Sequence, residues 1–380
     1  MPETAVQERA AELKPEHAAP GRIASIDALR GFDMFWISGG EELIHTLYRA
    51  HPTRVTAALS QQFEHVPWAG FHFYDLIFPL FVFVVGLVLP FSLTRRLEMG
   101  GDRRELYGHA FRRLALLLLL GLLYNGLLDF NFHQLRLSGV LQRIAIAYFC
   151  STLLTMNLKI RGQVIATGAI LLGYWAIMTL IPVPGFGAGV LTPQGNLAAH
   201  FDQRFLPRPF CCYEFGDNEG LISMIPAIAT CMMGVLAGHW LRSARSPNRK
   251  AAGLALVGVA SLGVALLWSL DFPIIKNVWS SSFVLFAGGW SLLLLALFYW
   301  IMDLHGYQRW AFFFVVIGAN SIAMYLAHRF FDFRILGDIF IHGLFPHMGA
   351  WKPFIREVAG VAVSWCVFLH LYRRKIFLRV

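Results

Sequence analysis

Residues 63–81 read FEHVPWAGFHFYDLIFPLF, which sets His65, Trp68, Gly70, His72 and Asp75 just ahead of a long apolar run containing Pro79. Polar groups placed this way stand at the mouth of a membrane helix. An ionisable side chain there marks a site, because exposing it to lipid is costly. The rest of the chain has to supply what these groups face.

Composition fixes the solvent. Of 380 residues, 57% are hydrophobic and only 14% charged, with a mean hydropathy of +0.55. Soluble domains carry about 25% charged residues, so this is an integral membrane protein. The net charge of +9 reports topology rather than a nucleic-acid partner, since the arginines cluster beside apolar runs. Five cysteines, with Cys211 and Cys212 adjacent, make no disulfide framework, and the pair reads as two buried small hydrophobes. Residues 1–21 are polar and rich in Ala, Glu and Pro, without the apolar stretch of a signal peptide. They are expected to form a disordered cytoplasmic tail.

A spanning helix needs roughly 20 mostly apolar residues. Ten candidates lie at 23–47, 75–93, 111–128, 138–158, 164–181, 221–241, 251–270, 278–301, 311–330 and 354–372. Orientation follows from the basic residues. Arg95, Arg96, Arg103, Arg104, Arg112 and Arg113 flank one junction; Lys159 and Arg161, then Arg242, Arg245, Arg249 and Lys250, mark alternate ones, and Arg373, Arg374 and Lys375 follow the last helix. By the positive-inside rule these are cytoplasmic, and so are both termini. The expected fold is all-α, with about ten transmembrane helices in one domain over 22–380. The external loops are then 49–74, 129–137, 182–220, 271–277 and 331–353, and His65 faces outward. Loop 182–220 is long and rich in Pro, Gly and aromatics, so it is expected to be ordered over an outward cavity.

The first helix carries Asp27, Arg30 and Asp33 at i, i+3, i+6, then Glu41 and Glu42 after Ser38-Gly39-Gly40. One ion pair between helices needs two charges; this helix has five, which points to a functional cavity. At roughly 100° per residue Glu41 returns to within about 20° of Arg30, and the Ser-Gly-Gly triplet is expected to loosen the helix and turn Glu41 and Glu42 inward. His65 can serve as a base or an acyl carrier, with Asp75 able to fix its tautomer; His72 competes for the role, and spacing alone does not choose. In the fourth helix Arg143 needs acceptors, either Asp27 or Asp33 or an anionic ligand. Asp217 or Asn218 reads as an N-cap of the sixth helix, with Glu219 in its first turn. Ser321, Tyr325 and His328 form a polar stripe on the ninth, with His328 a second candidate for a bound group or proton path. No HExxH, zinc-spaced Cys/His set, Walker loop or GxSxG elbow is present in the sequence, so neither a metal nor ATP is implied.

The blocks SIDALRGFDMFWI (25–37), HVPWAGFHFYDLIFPLFVFVVG (65–86), GVLQRIAIAYF (139–149), EGLISMIPAIATCMMGVLAG (219–238) and ANSIAMYL (319–326) together resemble the heparan-α-glucosaminide N-acetyltransferase family, with its bacterial NagX-like relatives. The blocks stand in the family's order. The resemblance implies acetyl transfer from cytosolic acetyl-CoA, as co-substrate, to the amine of a glucosamine-type sugar across the membrane. The family's histidine pattern falls on His65, Trp68, Gly70, Asp75, Phe78 and Pro79, which selects His65 over His72. Its Asp before Arg-Gly falls on Asp27, Arg30 and Gly31. Animal members place a functional asparagine shortly before the histidine loop; here 38–42 read SGGEE, and Glu41 is nearest by spacing.

The expected roles follow. His65 and Asp75 are catalytic; Asp27, Glu41, Glu42 and Trp68 hold the acceptor; Arg30 and Arg143, with Ser321 and His328, line the acetyl-CoA path, entered past Arg112 or Arg113. No large domain precedes the first helix, from which a small amino sugar or cell-wall fragment is expected. The expected location is a bacterial inner membrane, the partners are the sugar and the bilayer, and a homodimer through lipid-facing helices is compatible. The rival readings are a transporter of amino sugars or small anions, an envelope-polysaccharide O-acetyltransferase, and a structural scaffold. Uptake without acetylation would mark the first, and the acceptor atom the second. The scaffold is disfavoured because many buried charges would destabilise it without return.

Overall fold

Helix α1 (Ala24–Phe35) does not run straight into α2 (Glu41–Ala50): Trp36–Gly40 forms a π-helical turn in which Ser38 and Gly39 leave helical backbone angles. Ser-Gly-Gly has low helix propensity, so the loosening falls where the triplet stands. The break shifts the phase of α2 and removes the regular-helix alignment of Glu41 with Arg30. These descriptions come from a computed structural model and cover residues 23–378. The expected tail over 1–21 lies outside the described residues.

Among the described residues, seven helices are long and apolar enough to cross a membrane. The first opens with α4 (Phe73–Leu87), which follows the short α3 (Arg54–Gln62) and continues through a π turn into α5 (Arg95–Glu98). The others are α6 (Arg103–Tyr124), α8 (Ile160–Leu180), α10 (Met224–Arg242), α11 (Pro247–Trp268), α12 (Ser281–Tyr299, prolonged to Leu304) and α16 (Lys352–Arg373, with a preceding turn from Gly349). A bent pair, α13 (Phe312–Ala319) and α14 (Ser321–Phe330), is apolar enough when taken together and meets at 67° around Asn320, the geometry of a broken span or a re-entrant loop; the short α15 (Phe333–Ile341) follows. The side chain of Asn320 donates to the Ile376 carbonyl and accepts from Leu378 N–H, so the break is tied to the chain's end. The expected spans at 23–47 and 138–158 are helical as well, as α1 with α2 and as α7 (Val140–Asn157). The break in one and the polarity of both leave them outside that count.

The core is set by apolarity. Helix α4 is almost wholly buried and packs on α10 and α12, whereas α6, α8, α11 and α16 are mostly exposed. Their outward side chains, among them Ile165, Leu172, Leu256 and Leu267, are apolar, as lipid contact requires. Helices α4 and α10 approach so closely that a Cβ on Gly86 would strike the Cys231 carbonyl. Small residues at such crossings let backbones touch where lipid leaves no hydrophobic drive between helices.

Loop 182–220 is folded, as expected. It forms α9 (Leu197–Phe205), capped by Asn196 on Ala199 N–H at 2.8 Å, and a hairpin of β1 (Cys212–Tyr213) and β2 (Gly216–Asp217). Buried Asp202 ties the two together, accepting from Asp217 N–H at 3.1 Å and Leu221 N–H at 3.0 Å. Cys211 and Cys212 are bonded to each other and Cys212 is exposed, which corrects their reading as two buried hydrophobes. The expected N-cap of the sixth span is also corrected. Asp217 lies in β2 and α10 begins only at Met224.

Candidate active site

Helix α4 starts at Phe73, which puts Asp75 in its first turn, where a carboxylate meets unsatisfied backbone donors. Asp75 Oδ2 accepts from His72 N–H at 3.0 Å and Val66 N–H at 3.4 Å. That leaves Oδ1, which lies 2.8 Å from His65 Nδ1 and 3.3 Å from Lys276 Nζ. The carboxylate is 1% exposed while the imidazole is 47% exposed, so the ring is held from behind and open in front. His72 is turned away, its Nδ1 on the Glu64 carbonyl at 2.9 Å.

Lys276 comes from the loop between α11 and α12, far from His65 in sequence. The histidine loop is stitched to that loop by a β-bridge of Ala69 with Ile275 and by Gly70 N–H on the Ile274 carbonyl at 2.9 Å. Gly70 has φ +130°, a backbone that side chains resist, so only glycine makes this turn without strain. The Lys276 nitrogen then sits 2.9 Å from His65 Nδ1 and 3.2 Å from Nε2. With Nδ1–H donated to Asp75, the ammonium donates to Asp75 and stands beside both ring nitrogens, leaving the in-plane Nε2 lone pair open. Burial lowers Lys276 from its ordinary value, with Asp75 opposing.

The opposite wall comes from the first helix. Tyr74 stacks on His65 with ring centroids 4.8 Å apart, and Glu41 lies within electrostatic reach of both. Glu42 is drawn instead to the rim, paired with Arg49. Trp68 donates to the Leu191 carbonyl at 2.8 Å and packs on Tyr213, fixing the histidine loop beneath the folded loop 182–220.

A second layer lies behind. Arg136 forks onto Asp217 and Glu219, anchoring the hairpin to the segment before α7. The carboxylates raise the guanidinium against its burial, and Arg136 in turn holds Asp217 low. Arg143, fully buried, donates to the Asn218 carbonyl and the Ser223 hydroxyl and lies 4.4 Å over the Trp279 ring. Of the two readings left open for Arg143, pairing with Asp27 or Asp33 is not the one seen: α7 presents it to the turn before α10 instead. Asn218 and Glu219 serve these arginines rather than a helix cap.

The remaining expected residues are not gathered at His65. Asp27 and Arg30, 3.9 Å apart, stand about three to four helical turns before Glu41, on the far side of the break at Ser38-Gly39. They are near the arginine-rich end, where Ser25 N–H meets Asp303. His328 is occupied by the Met324 carbonyl at 2.9 Å and by Ser364 at 3.4 Å, and Ser321 is buried at the start of α14. Sequence reasoning missed Lys276, Tyr74 and Arg136. For Lys276 a signal existed: it is the one basic residue in 271–277.

A bundle of apolar helices carrying a histidine–carboxylate–lysine cluster defines a multi-pass membrane protein with a candidate acid–base site. Residues 22–270 match the family model described as heparan-alpha-glucosaminide N-acetyltransferase, catalytic, and the chain belongs to that family. It is 26% identical over 429 residues to the heparan-alpha-glucosaminide N-acetyltransferase of Homo sapiens, covering 96% of this chain and 60% of that protein. The Mus musculus protein of that name is 26% identical over 378 residues, covering 84% of this chain and 56% of its own length. The chain thus spans about 60% of the length of the curated relatives it matches. The matched region holds His65, Asp75, Arg136 and Arg143, and Lys276 lies just beyond it.

Proposed function

We propose that this protein transfers acetyl from acetyl-CoA to the amine of a glucosamine-type sugar, with His65 as general base. The observation that carries the reading is the half-open imidazole of His65, held at Nδ1 by buried Asp75 at 2.8 Å with Lys276 beside Nε2. His65 Nε2 removes a proton from the sugar's ammonium or amine as its nitrogen attacks the thioester carbonyl. Asp75 stabilises the imidazolium that results. Lys276 offers positive charge to the carbonyl oxygen as it becomes an oxyanion. The carbon–sulfur bond breaks, CoA leaves as thiolate and takes up a proton, and one proton per acetylated ammonium is released. Glu41, near Tyr74 and His65, receives the acceptor's ammonium or hydroxyls.

In this reading residues 22–380 act as one domain in a bacterial inner membrane, crossing it about ten times with both termini inside. The arginine-rich end faces the cytosol, where Arg30 and its neighbours suit the CoA phosphates, while His65 opens to the outer side. Arg143, within electrostatic reach of Lys276, borders the thioester end. No metal enters the mechanism.

The test is CoA release and N-acetylglucosamine formation by the purified protein in detergent, with His65→Ala alongside. Loss of product in a folded His65→Ala, by a factor on the order of a thousand or more, is expected. Full activity in that variant would remove His65 from the chemistry. Uptake of unmodified glucosamine into proteoliposomes, with no product, would replace the enzyme by a transporter.

A further inference from the structure

An amine of the protein's own stands at His65. Lys276 Nζ lies 2.9 Å from Nδ1 and 3.2 Å from Nε2 of that ring, and 3.3 Å from Asp75 Oδ1. The loop carrying it is fixed on both sides of the lysine. Gly70 N–H donates to the Ile274 carbonyl at 2.9 Å, Ala69 bridges Ile275, and the Asn277 amide reaches the Pro67 carbonyl at 3.5 Å. Base and amine are thus held together by backbone, not by side chains alone. The lysine is enclosed but not sealed: its side chain is 13% exposed, beside an imidazole that is 47% exposed.

In the acetyl-transfer reading the same nitrogen faces the thioester carbonyl. A primary amine, a general base and an acyl donor then meet at one point, which is the arrangement the reaction asks of its sugar acceptor. The lysine differs in being tethered, so it needs no binding step. As an ammonium it has no lone pair, and Asp75 favours that form. Burial opposes Asp75 and lowers the lysine from its ordinary value, which leaves more neutral amine than a surface lysine has. We propose that Lys276 is a self-acetylation site: with acetyl-CoA bound and no sugar present, the enzyme acetylates its own lysine and switches itself off.

The step balances without a further reactant. The ammonium first gives one proton to water. The neutral Nζ attacks the thioester carbonyl, a nitrogen–carbon bond forms and the carbon–sulfur bond breaks. The proton that the nitrogen sheds passes to His65 and on to the departing CoA thiolate. The resulting amide no longer pairs with Asp75 as a cation and offers no positive charge to an oxyanion. A bound sugar amine competes for the same acetyl group, so the acceptor protects. The inference rests on the acetyl-transfer reading and extends it to regulation of the same site.

The experiment incubates the purified protein with acetyl-labelled acetyl-CoA and no sugar, then follows labelled peptides by mass spectrometry and residual activity by N-acetylglucosamine formation. Label is expected on Lys276, rising in step with the loss of activity and suppressed by excess glucosamine. Exposed Lys159 reports uncatalysed acetylation in the same digest. In His65→Ala labelling of Lys276 slows on the order of a hundredfold or more, while that of Lys159 is unchanged. Lys276→Arg keeps its own starting activity through the same incubation. Label on Lys276 no faster than on Lys159, or equally fast in His65→Ala, overturns the proposal. Acetylation of glucosamine by a protein whose Lys276 stays unlabelled does so as well, and leaves the acetyl-transfer reading standing. Neither label nor acetylated sugar refutes that reading and the proposal with it.

Discussion

Lys276 places its ammonium nitrogen 2.9 Å from His65 Nδ1 across 211 residues of sequence, and 3.3 Å from the carboxylate that holds the same ring. In the acetyl-transfer reading this largely enclosed cation stands where negative charge develops on the thioester oxygen. Lys276→Met should therefore lower kcat about 10²- to 10³-fold, the usual scale for removing one such donor, with the KM for glucosamine little changed. Lys276→Arg should recover part of the loss. Steady-state CoA release with both variants decides it: a Met variant with wild-type kcat leaves the lysine a purely structural tie between loops.

Asp75 holds the loop through backbone donors and the ring through Nδ1, and one substitution separates the two roles. In Asp75→Asn the amide oxygen can still accept from His72 N–H, so the start of α4 survives. The charge that stabilises the imidazolium is gone. Activity should fall about 10²- to 10⁴-fold while the melting temperature in detergent moves by a few degrees at most. If melting collapses instead, Asp75 is first a structural residue, and the kinetic loss carries no message about the base.

Arg136, Asp217 and Glu219 form a largely buried ion cluster that anchors the hairpin. Removing one partner of such a cluster leaves an uncompensated buried charge, at about 3–5 kcal/mol. Arg136→Leu should destabilise the protein on that scale. Arg136→Leu with Asp217→Asn should be less damaged than the two single losses added together. Thermal melts of the four proteins give the coupling directly, and strict additivity would mean the pair contributes nothing of its own.

What was legible in the sequence follows the range of each interaction. His65, Trp68 and Asp75 lie within eleven residues, so one motif exposes them, and the charge-free runs that became α8, α11 and α12 need only local hydropathy. Arg143 was legible as a buried arginine but not in its partners, because Asn218 and Ser223 reach it only through tertiary packing. Asp217 and Glu219 invited a capping reading since they precede an apolar run; their partner Arg136 is some eighty residues upstream. The break at Asn320 hides inside a stretch apolar enough to read as one helix. Tyr74 reads as part of the same apolar run until the fold sets Glu41 and His65 on either side of it.

Asp202 offers a pH test of how loop 182–220 is held. Its carboxyl is fully buried between α9 and the hairpin, and burial pushes it up to about 6 from an ordinary 3.8, against the backbone N–H groups of Asp217 and Leu221. In the unfolded chain the group ionises near its ordinary value. Between these two values the folded protein holds a proton that the unfolded chain has released. Stability from this residue is therefore greatest at the acid end and declines as pH rises from about 4 to about 6, then stays level. Two units of difference correspond to roughly 3 kcal/mol as an upper scale. Asp217 works the other way, being held low by Arg136, so its contribution is lost only on further acidification, below the Asp202 window. In Asp202→Asn the titrating group is absent. The melting temperature of wild type minus that of Asp202→Asn should fall by several degrees between pH 4.5 and pH 6.5 and remain flat from pH 7 to pH 8. A difference that rises with pH, or stays constant throughout, would show that Asp202 is already ionised in the folded loop.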